Sequence, residues 1–244
     1  GSDGSLEYIK EKKYKYSYSK NNQGVCVAFN EAAKLTNNNY IVLAHDDMYF
    51  CPGWDAVFYN EIKKISSKDF FLSGTMVQNF GTYIKLDCGK TYENFNEEKL
   101  LKELPKIKFD DFQGTHWQPS LISLETWNRV GGFSLEFSPG LGSDPDFNMK
   151  LWKMGVRFFK GLGNCRVYHF SSVTLRRKAW NNGAKTFLLK WGITIKFFRK
   201  YYLRINTPFD GELREPDKTF SYYINLIKCK CSFMYYYLLL KLKI

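Results

Sequence analysis

The feature that most constrains this chain is a short apolar run that ends in acid. Tyr40-Ile41-Val42-Leu43-Ala44 is followed at once by His45-Asp46-Asp47. A continuous apolar run bounded by polar residues suits a strand buried on both faces, as in a sheet covered by helices. Carboxylates just past the C-terminal end of such a strand stand where open α/β sheets bind their ligands. Adjacent carboxylates beside a histidine offer donors for a divalent cation such as Mg2+ or Mn2+, completed by substrate phosphates. A bare Asp-Asp pair is usually a solvated turn. Its place after this run, with Pro52-Gly53-Trp54 beyond it, favours the ligand-binding reading.

The rest of the chain alternates in the same style. Apolar spacing predicts helices over Leu6 to Lys13, Val25 to Leu35 and Trp54 to Ile65. Tyr14 to Ser19, Phe70 to Val77, Leu121 to Leu124, Arg157 to Gly161 and Arg166 to Phe170 read as strands. Residues from about Gly81 to Asp111 are polar and poorly periodic, an insertion with one short helix near Glu97 to Leu104. The alternation argues an α/β fold with a mostly parallel sheet flanked by helices. Thr186 to Ile205 carries Phe187, Trp191, Ile195, Phe198 and Tyr202 at three- and four-residue steps and reads as one long helix. It opens a basic, aromatic, helical C-terminal extension, so the expected organisation is a domain over 1–180 and an extension over 181–244.

A second acidic cluster lies in Gly140 to Trp152, GLGSDPDFNMKLW. Ser143 or Asp144 suits an N-cap for a helix that ends at Gly155, with Pro145 tolerated near the first helical position. A carboxylate at such a helix start can instead face a cleft and act as a general base. Trp117, next to His116, is either a core tryptophan or a sugar-stacking acceptor contact.

Lys and Arg number 36 against 24 Asp and Glu, a formal charge of +12. Lys185, Lys190, Lys196, Arg199, Lys200 and Arg204 follow one another with no acid between them. Such a balance suits phosphorylated substrates, an anionic membrane surface or nucleic acid. The six cysteines form no zinc-ligand pattern and read as reduced thiols, which points to a cytoplasmic protein. The longest uncharged stretch of the tail, Cys231 to Leu240, is far short of the roughly 20 apolar residues that span a bilayer. The tail is therefore expected to pack on its own domain or to dock peripherally, on a partner or on the inner face of the cytoplasmic membrane.

The ordered motifs resemble family 2 glycosyltransferases of the GT-A fold. GSDGSLEYIKE is similar to the family's DxGSxDGT segment and the helix after it. NNQGVCVAFNEAAKL is similar to its N-x-G-x-x-x-A-x-N-x-A helix, with Phe29 where Arg is common. YIVLAHDDMYFCPGWD resembles the strand, DxD-like metal motif and proline-glycine turn. WNRVGGFSLEF resembles the iGGFDE stretch, with Ser134 in place of Asp. SDPDFNMKLWKMGVRFF resembles the EDxDxxxRxxxxG helix, with Ser143 in place of Glu. The resemblance runs from about Gly1 to His169. The family's first strand, helix and second strand are absent from the sequence, so the domain is expected to be N-terminally incomplete.

The resemblance implies an inverting, metal-dependent transfer of a sugar from a nucleoside-diphosphate sugar to a glycan or lipid-linked acceptor, as in polysaccharide biosynthesis. Asp47 would be the main ligand of Mn2+ or Mg2+, with Asp46 near the metal or donor ribose and His169 near metal and diphosphate. Asp144 would be the base, supported by Asp146. Asp3, Gly24, Asn30 and Asp46 would contact the donor, and Arg176 and Arg177 would close over its diphosphate. Trp117 and His116 would face the acceptor. No nucleic acid is expected as a partner. The alternatives are an inactive GT-A relative acting as a scaffold and a basic nucleic-acid-binding module.

Overall fold

The computed structural model describes residues 4–79, 83–114, 117–170 and 181–242. Among these, two helices, α1 (Ser5–Glu11) and α2 (Val25–Ala33), precede strand β1 (Tyr40–Leu43). Strand β2 (Met48–Phe50) and helix α3 (Trp54–Ile62) follow. Next come β3 (Phe70–Gln78), β4 (Ile84–Lys85), α4 (Glu97–Glu103), β5 (Phe112–Gln113) and β6 (Ser120–Ser123). Helices α5 (Leu124–Val130) and α6 (Ser143–Lys153) then lead into the long strand β7 (Phe158–His169). The C-terminal region supplies α7 (Gly183–Trp191), α8 (Ile195–Tyr201) and α9 (Phe220–Lys241).

The strands form one sheet in the order β1-β6-β3-β7-β2, with β4 beside β3 and β5 beside β7. Its α/β class is as expected, but its strand directions are not mostly parallel. β3 runs parallel to β4 and β7, whereas β1–β6, β3–β6, β2–β7 and β5–β7 pair antiparallel. Burial on both faces holds for β3 and β6, which are buried almost throughout, but not for the run at residues 40–44: among the described residues β1 is an edge strand paired antiparallel with β6, and Val42 is exposed. Burial on both faces does not fix direction, and a mixed sheet covered by helices achieves it equally well.

Three further local expectations change. Tyr14 to Ser19 has strand-like alternation, yet it pairs with no strand and stays irregular; alternation without a partner ladder does not make a strand. The two strands expected over residues 157–170 are one continuous β7. The single helix expected over 186–205 is broken: Gly192 ends α7 in the left-handed region (φ 70°), and Thr194 restarts α8 by accepting from the Phe197 N–H. The insertion does contain its short helix, α4, and Leu100 and Leu104 bury with Val77, Cys88 and Tyr168 in a cluster of their own.

The largest core crosses residue 180. Phe147, Leu151 and Trp152 of α6 pack in the same cluster as Phe187, Phe197 and Phe198 of α7 and α8, and as Tyr222 and Cys229 of α9. The C-terminal helices thus share the hydrophobic core of the sheet domain. All six cysteines are free thiols, five of them buried and Cys231 exposed.

Candidate active site

The sheet order brings the first acidic cluster to a histidine at the end of the chain's longest strand. β7 lies between β3 and β2, and its last residue, His169, sits opposite Met48 in the antiparallel ladder. Asp47 is the next residue back, and its carbonyl accepts from the Phe170 N–H at 3.0 Å. On the other side Val77 is in register with Tyr168, which sets Gln78 beside His169. The side chains complete the line: His169 Nε2 lies 3.2 Å from Asp47 Oδ2, and its Nδ1 lies 3.1 Å from Gln78 Oε1. The Asp47 carboxylate and the Gln78 amide thus hold the imidazole ring between them.

Asp47 is half-buried. Burial pushes its carboxyl up, but the hydrogen bond to His169 and the positive potential of His169 and His45 outweigh it, and the net shift is downward. Its second oxygen, Oδ1, is buried and has no hydrogen-bond partner among the described residues. An unsatisfied carboxylate oxygen beside an imidazole fits a hard or borderline cation better than an apolar neighbour. The protein supplies few donors: no group of three or more His, Cys, Asp or Glu side chains among the described residues is arranged to hold a metal ion. Phosphate oxygens or water would complete what the described residues offer. Asp46, beside this pair, is exposed.

The second cluster reaches the same place from α6. Gly142, at φ 84°, holds the N-cap position and no side chain caps the helix, so capping does not explain Asp144. Its carboxylate instead accepts from Gln118 Nε2 at 2.7 Å. Burial raises the Asp144 carboxyl above the ordinary carboxylate value, opposed by the Gln118 bond and by the positive charge of His45. His45 therefore lies within electrostatic reach of both Asp47 and Asp144. A carboxylate raised by burial and held in one orientation has the properties of a general base.

Asp146 does something else. It is fully buried, and it accepts from Ser134 Oγ (2.6 Å), Trp191 Nε1 (2.8 Å) and the Lys190 ammonium (2.9 Å). These bonds tie α6 to α7. The start of α7 is fixed to the loop before α6 as well: Leu141 N donates to Asn181 Oδ1 and Asn181 Nδ2 donates to Leu141 O. A Cβ on Gly183 would collide with the Leu141 carbonyl, so this close approach requires glycine.

Two residues expected at the donor are engaged in the scaffold. Asn30 donates through Nδ2 to Phe133 O and accepts from Phe133 N through Oδ1, both at 2.8 Å. Its amide is thus spent on bracing the Gly132-Phe133 turn. Gly24, at φ 86°, backs onto Pro139, where a Cβ would meet Pro139 Cα at 2.6 Å; it seats α2 against the loop leading to α6. Trp117 directly precedes Gln118 and is about a third exposed (37%). Asp3, His116, Arg176 and Arg177 lie outside the described residues. Sequence reasoning missed Gln78, Gln118, Lys190 and Trp191, whose roles come from contacts distant in the chain; no local pattern marks them.

Comparison with known proteins agrees with this architecture. Residues 1–117 match the family described as Glycosyl transferase family 2. No curated protein matches the chain in sequence. Among solved structures, the chain is similar to a crystal structure of GalNAc-T7 with UDP, GalNAc and Mn2+. The TM-score is 0.53 at 16% identity, over 81% of this chain. The chain spans 40% of the length of that structure's chain. The fold is that of a GT-A glycosyltransferase, and the sequence over residues 1–117 is similar to Glycosyl transferase family 2.

Proposed function

We propose that the chain transfers a sugar, with inversion, from a nucleoside-diphosphate donor to a hydroxyl of a glycan or lipid-linked acceptor. The observation that carries this reading is the approach of Asp144 to the His45-Asp46-Asp47 loop at the end of β1, with Gln118 fixing its carboxylate. Asp144 takes the proton of the acceptor hydroxyl as that oxygen attacks the anomeric carbon. The new C–O bond forms on one face while the bond to the diphosphate oxygen breaks on the other, and its electron pair leaves with the nucleotide. A single displacement of this kind inverts the anomeric centre.

Asp47 and His169 would hold a divalent cation, Mn2+ or Mg2+, with Asp46 at the rim. Such an ion, when bound, neutralises charge on the departing diphosphate. The likeness to a structure containing UDP and Mn2+ supports this choice of donor class and ion. Gln78 would orient His169 for the task, and the partly exposed Trp117 beside Gln118 would meet the acceptor. Asp146 is a positioning residue: through Lys190 and Trp191 it anchors the helix that presents Asp144.

Asp144→Asn tests the assignment. Transfer from the accepted nucleotide sugar should fall by two orders of magnitude or more, the order of a lost general base, while metal-dependent binding of the donor persists. Transfer at the wild-type rate in Asp144→Asn would remove Asp144 as the base.

A further inference from the structure

Helix α9 is apolar on both sides, and only one side is covered. Tyr222 and Cys229 are buried and Leu226 packs against the main core. The Thr194 N–H donates to Cys229 Sγ, and Asn225 Nδ2 donates to Tyr201 Oη at 3.0 Å. The opposite side carries Phe220, Ile224, Ile227, Cys231, Met234 and Leu238, all exposed. Their three-, four- and seven-residue steps put them in one line along the helix. Exposure reaches 81% at Phe220 and 62% at Ile227. Tyr223 and Tyr235 widen the stripe. At about 1.5 Å per residue this helix of 22 residues is about 33 Å long. An outward apolar line of that length is more than scattered surface hydrophobicity.

Charge decides what fits it. Lys228 and Lys241 flank the stripe on its two sides, and Lys230 stands beside Lys241's edge. The last acidic residue in the sequence is Asp217, so α9 contains none. A second copy laid along this stripe would set lysine against lysine with no carboxylate to pair them. A surface that is apolar within and anionic at its edge satisfies both features at once. Tyrosines and lysines at the margins of an apolar face are suited to the headgroup level of a bilayer. No helix among the described residues is long and apolar enough to cross a membrane, and Lys228 and Lys230 interrupt α9 near its middle. We propose that α9 is an interfacial anchor that lies flat on an anionic phospholipid surface, with the Phe220–Leu238 line immersed and the lysines at the phosphates.

Cys231 stands in the middle of the line and is the one exposed cysteine, so an environment-sensitive fluorophore can be attached there in the folded protein. Mixed with phosphatidylcholine vesicles containing phosphatidylglycerol, the labelled chain should show a blue-shifted, brighter emission. The unlabelled chain should co-sediment with the same vesicles, and vesicles of phosphatidylcholine alone should do neither. Ile227→Glu and Leu238→Glu, both on the uncovered side, should abolish binding without changing the melting temperature. Replacing Lys228, Lys230 and Lys241 by Gln should weaken it on the order of a hundredfold, and added salt should weaken it too. The inference is overturned if the monomeric chain ignores anionic vesicles. It is also overturned if Ile227→Glu and Leu238→Glu break a dimer seen by sedimentation while vesicle binding is absent or unaffected.

Discussion

Lys190 holds the buried charge on which α6 is seated, and its removal has a calculable effect. Asp146 is fully buried and its carboxylate has three donors, of which only Lys190 carries a charge. Lys190→Met leaves that carboxylate buried with Ser134 and Trp191 alone. Removing one partner of a buried ion pair costs about 3–5 kcal/mol, and losing one charge-assisted hydrogen bond costs about 1.5–3 kcal/mol. Two donors remain, and the Lys190 side chain keeps 26% of its exposure, so water screens part of the pair. The expected loss is therefore about 2–3 kcal/mol. Its second ion pair, to the more exposed Glu136 at 2.8 Å, adds little. At this chain length the loss lowers the melting temperature by roughly 5–10 °C.

Urea unfolding followed by tryptophan fluorescence measures it directly. The double variant Lys190→Met with Asp146→Asn removes the stranded charge and should recover more than half of the loss. Burial pulls the Lys190 ammonium down, but Glu136 and Asp146 more than offset that and raise it above 10.5. A raised lysine stabilises below its unfolded-state value and loses that contribution as pH climbs through the folded one. The gap between wild type and Lys190→Met should thus hold at neutral pH and close only in strong alkali. A single variant within about 0.5 kcal/mol of wild type, or a double variant no more stable than the single, would refute the reasoning.

Two further outcomes follow from the same geometry. Gln118→Leu removes the bond that favours the charged form of Asp144, so the acidic limb of the pH–rate profile for transfer should move to higher pH; an unmoved limb would mean that Gln118 does not touch the base. Burial raises the thiols of Cys26, Cys51, Cys88 and Cys165, Cys51 to about 11, so a thiol-titrating disulfide reagent should modify Cys231 rapidly in the native protein and all six thiols only after unfolding. Rapid native reaction at a second thiol would contradict the packing around these cysteines.

Much of this fold could be read from periodicity. The run at residues 40–44 is β1, the Glu97 to Leu104 helix is α4, and the GLGSDPDF segment opens α6. These succeeded because each signal is local. The break at Gly192 was local too, a glycine followed by a capping threonine, but the apolar spacing of Phe187, Trp191, Ile195 and Phe198 continues across it and masks it. Strand direction was not legible, because it depends on which neighbour a strand meets. The two acidic clusters were legible as candidates and not as a site. Their convergence rests on Gln118 before β6 and on the flanking of β7 by β3 and β2, and neither fact is written near the acids. The sequence also left Asp144 balanced between capping and chemistry. Gly142 in the cap position removes the first reading, and Asp146, its apparent equal in the motif, is anchored by Ser134, Lys190 and Trp191 instead.

The central claim is that the Asp47–His169 pair holds a divalent cation against a nucleoside diphosphate. Thermal unfolding with a panel of nucleoside diphosphates, each with and without Mn2+, in wild type and Asp47→Asn, tests it most directly, because a ligand that binds the folded state raises the melting temperature by mass action. The account predicts a rise for at least one nucleotide that requires Mn2+ and disappears in Asp47→Asn. A rise that is the same without Mn2+, or that survives Asp47→Asn intact, would contradict it, as would the absence of a rise with every nucleotide.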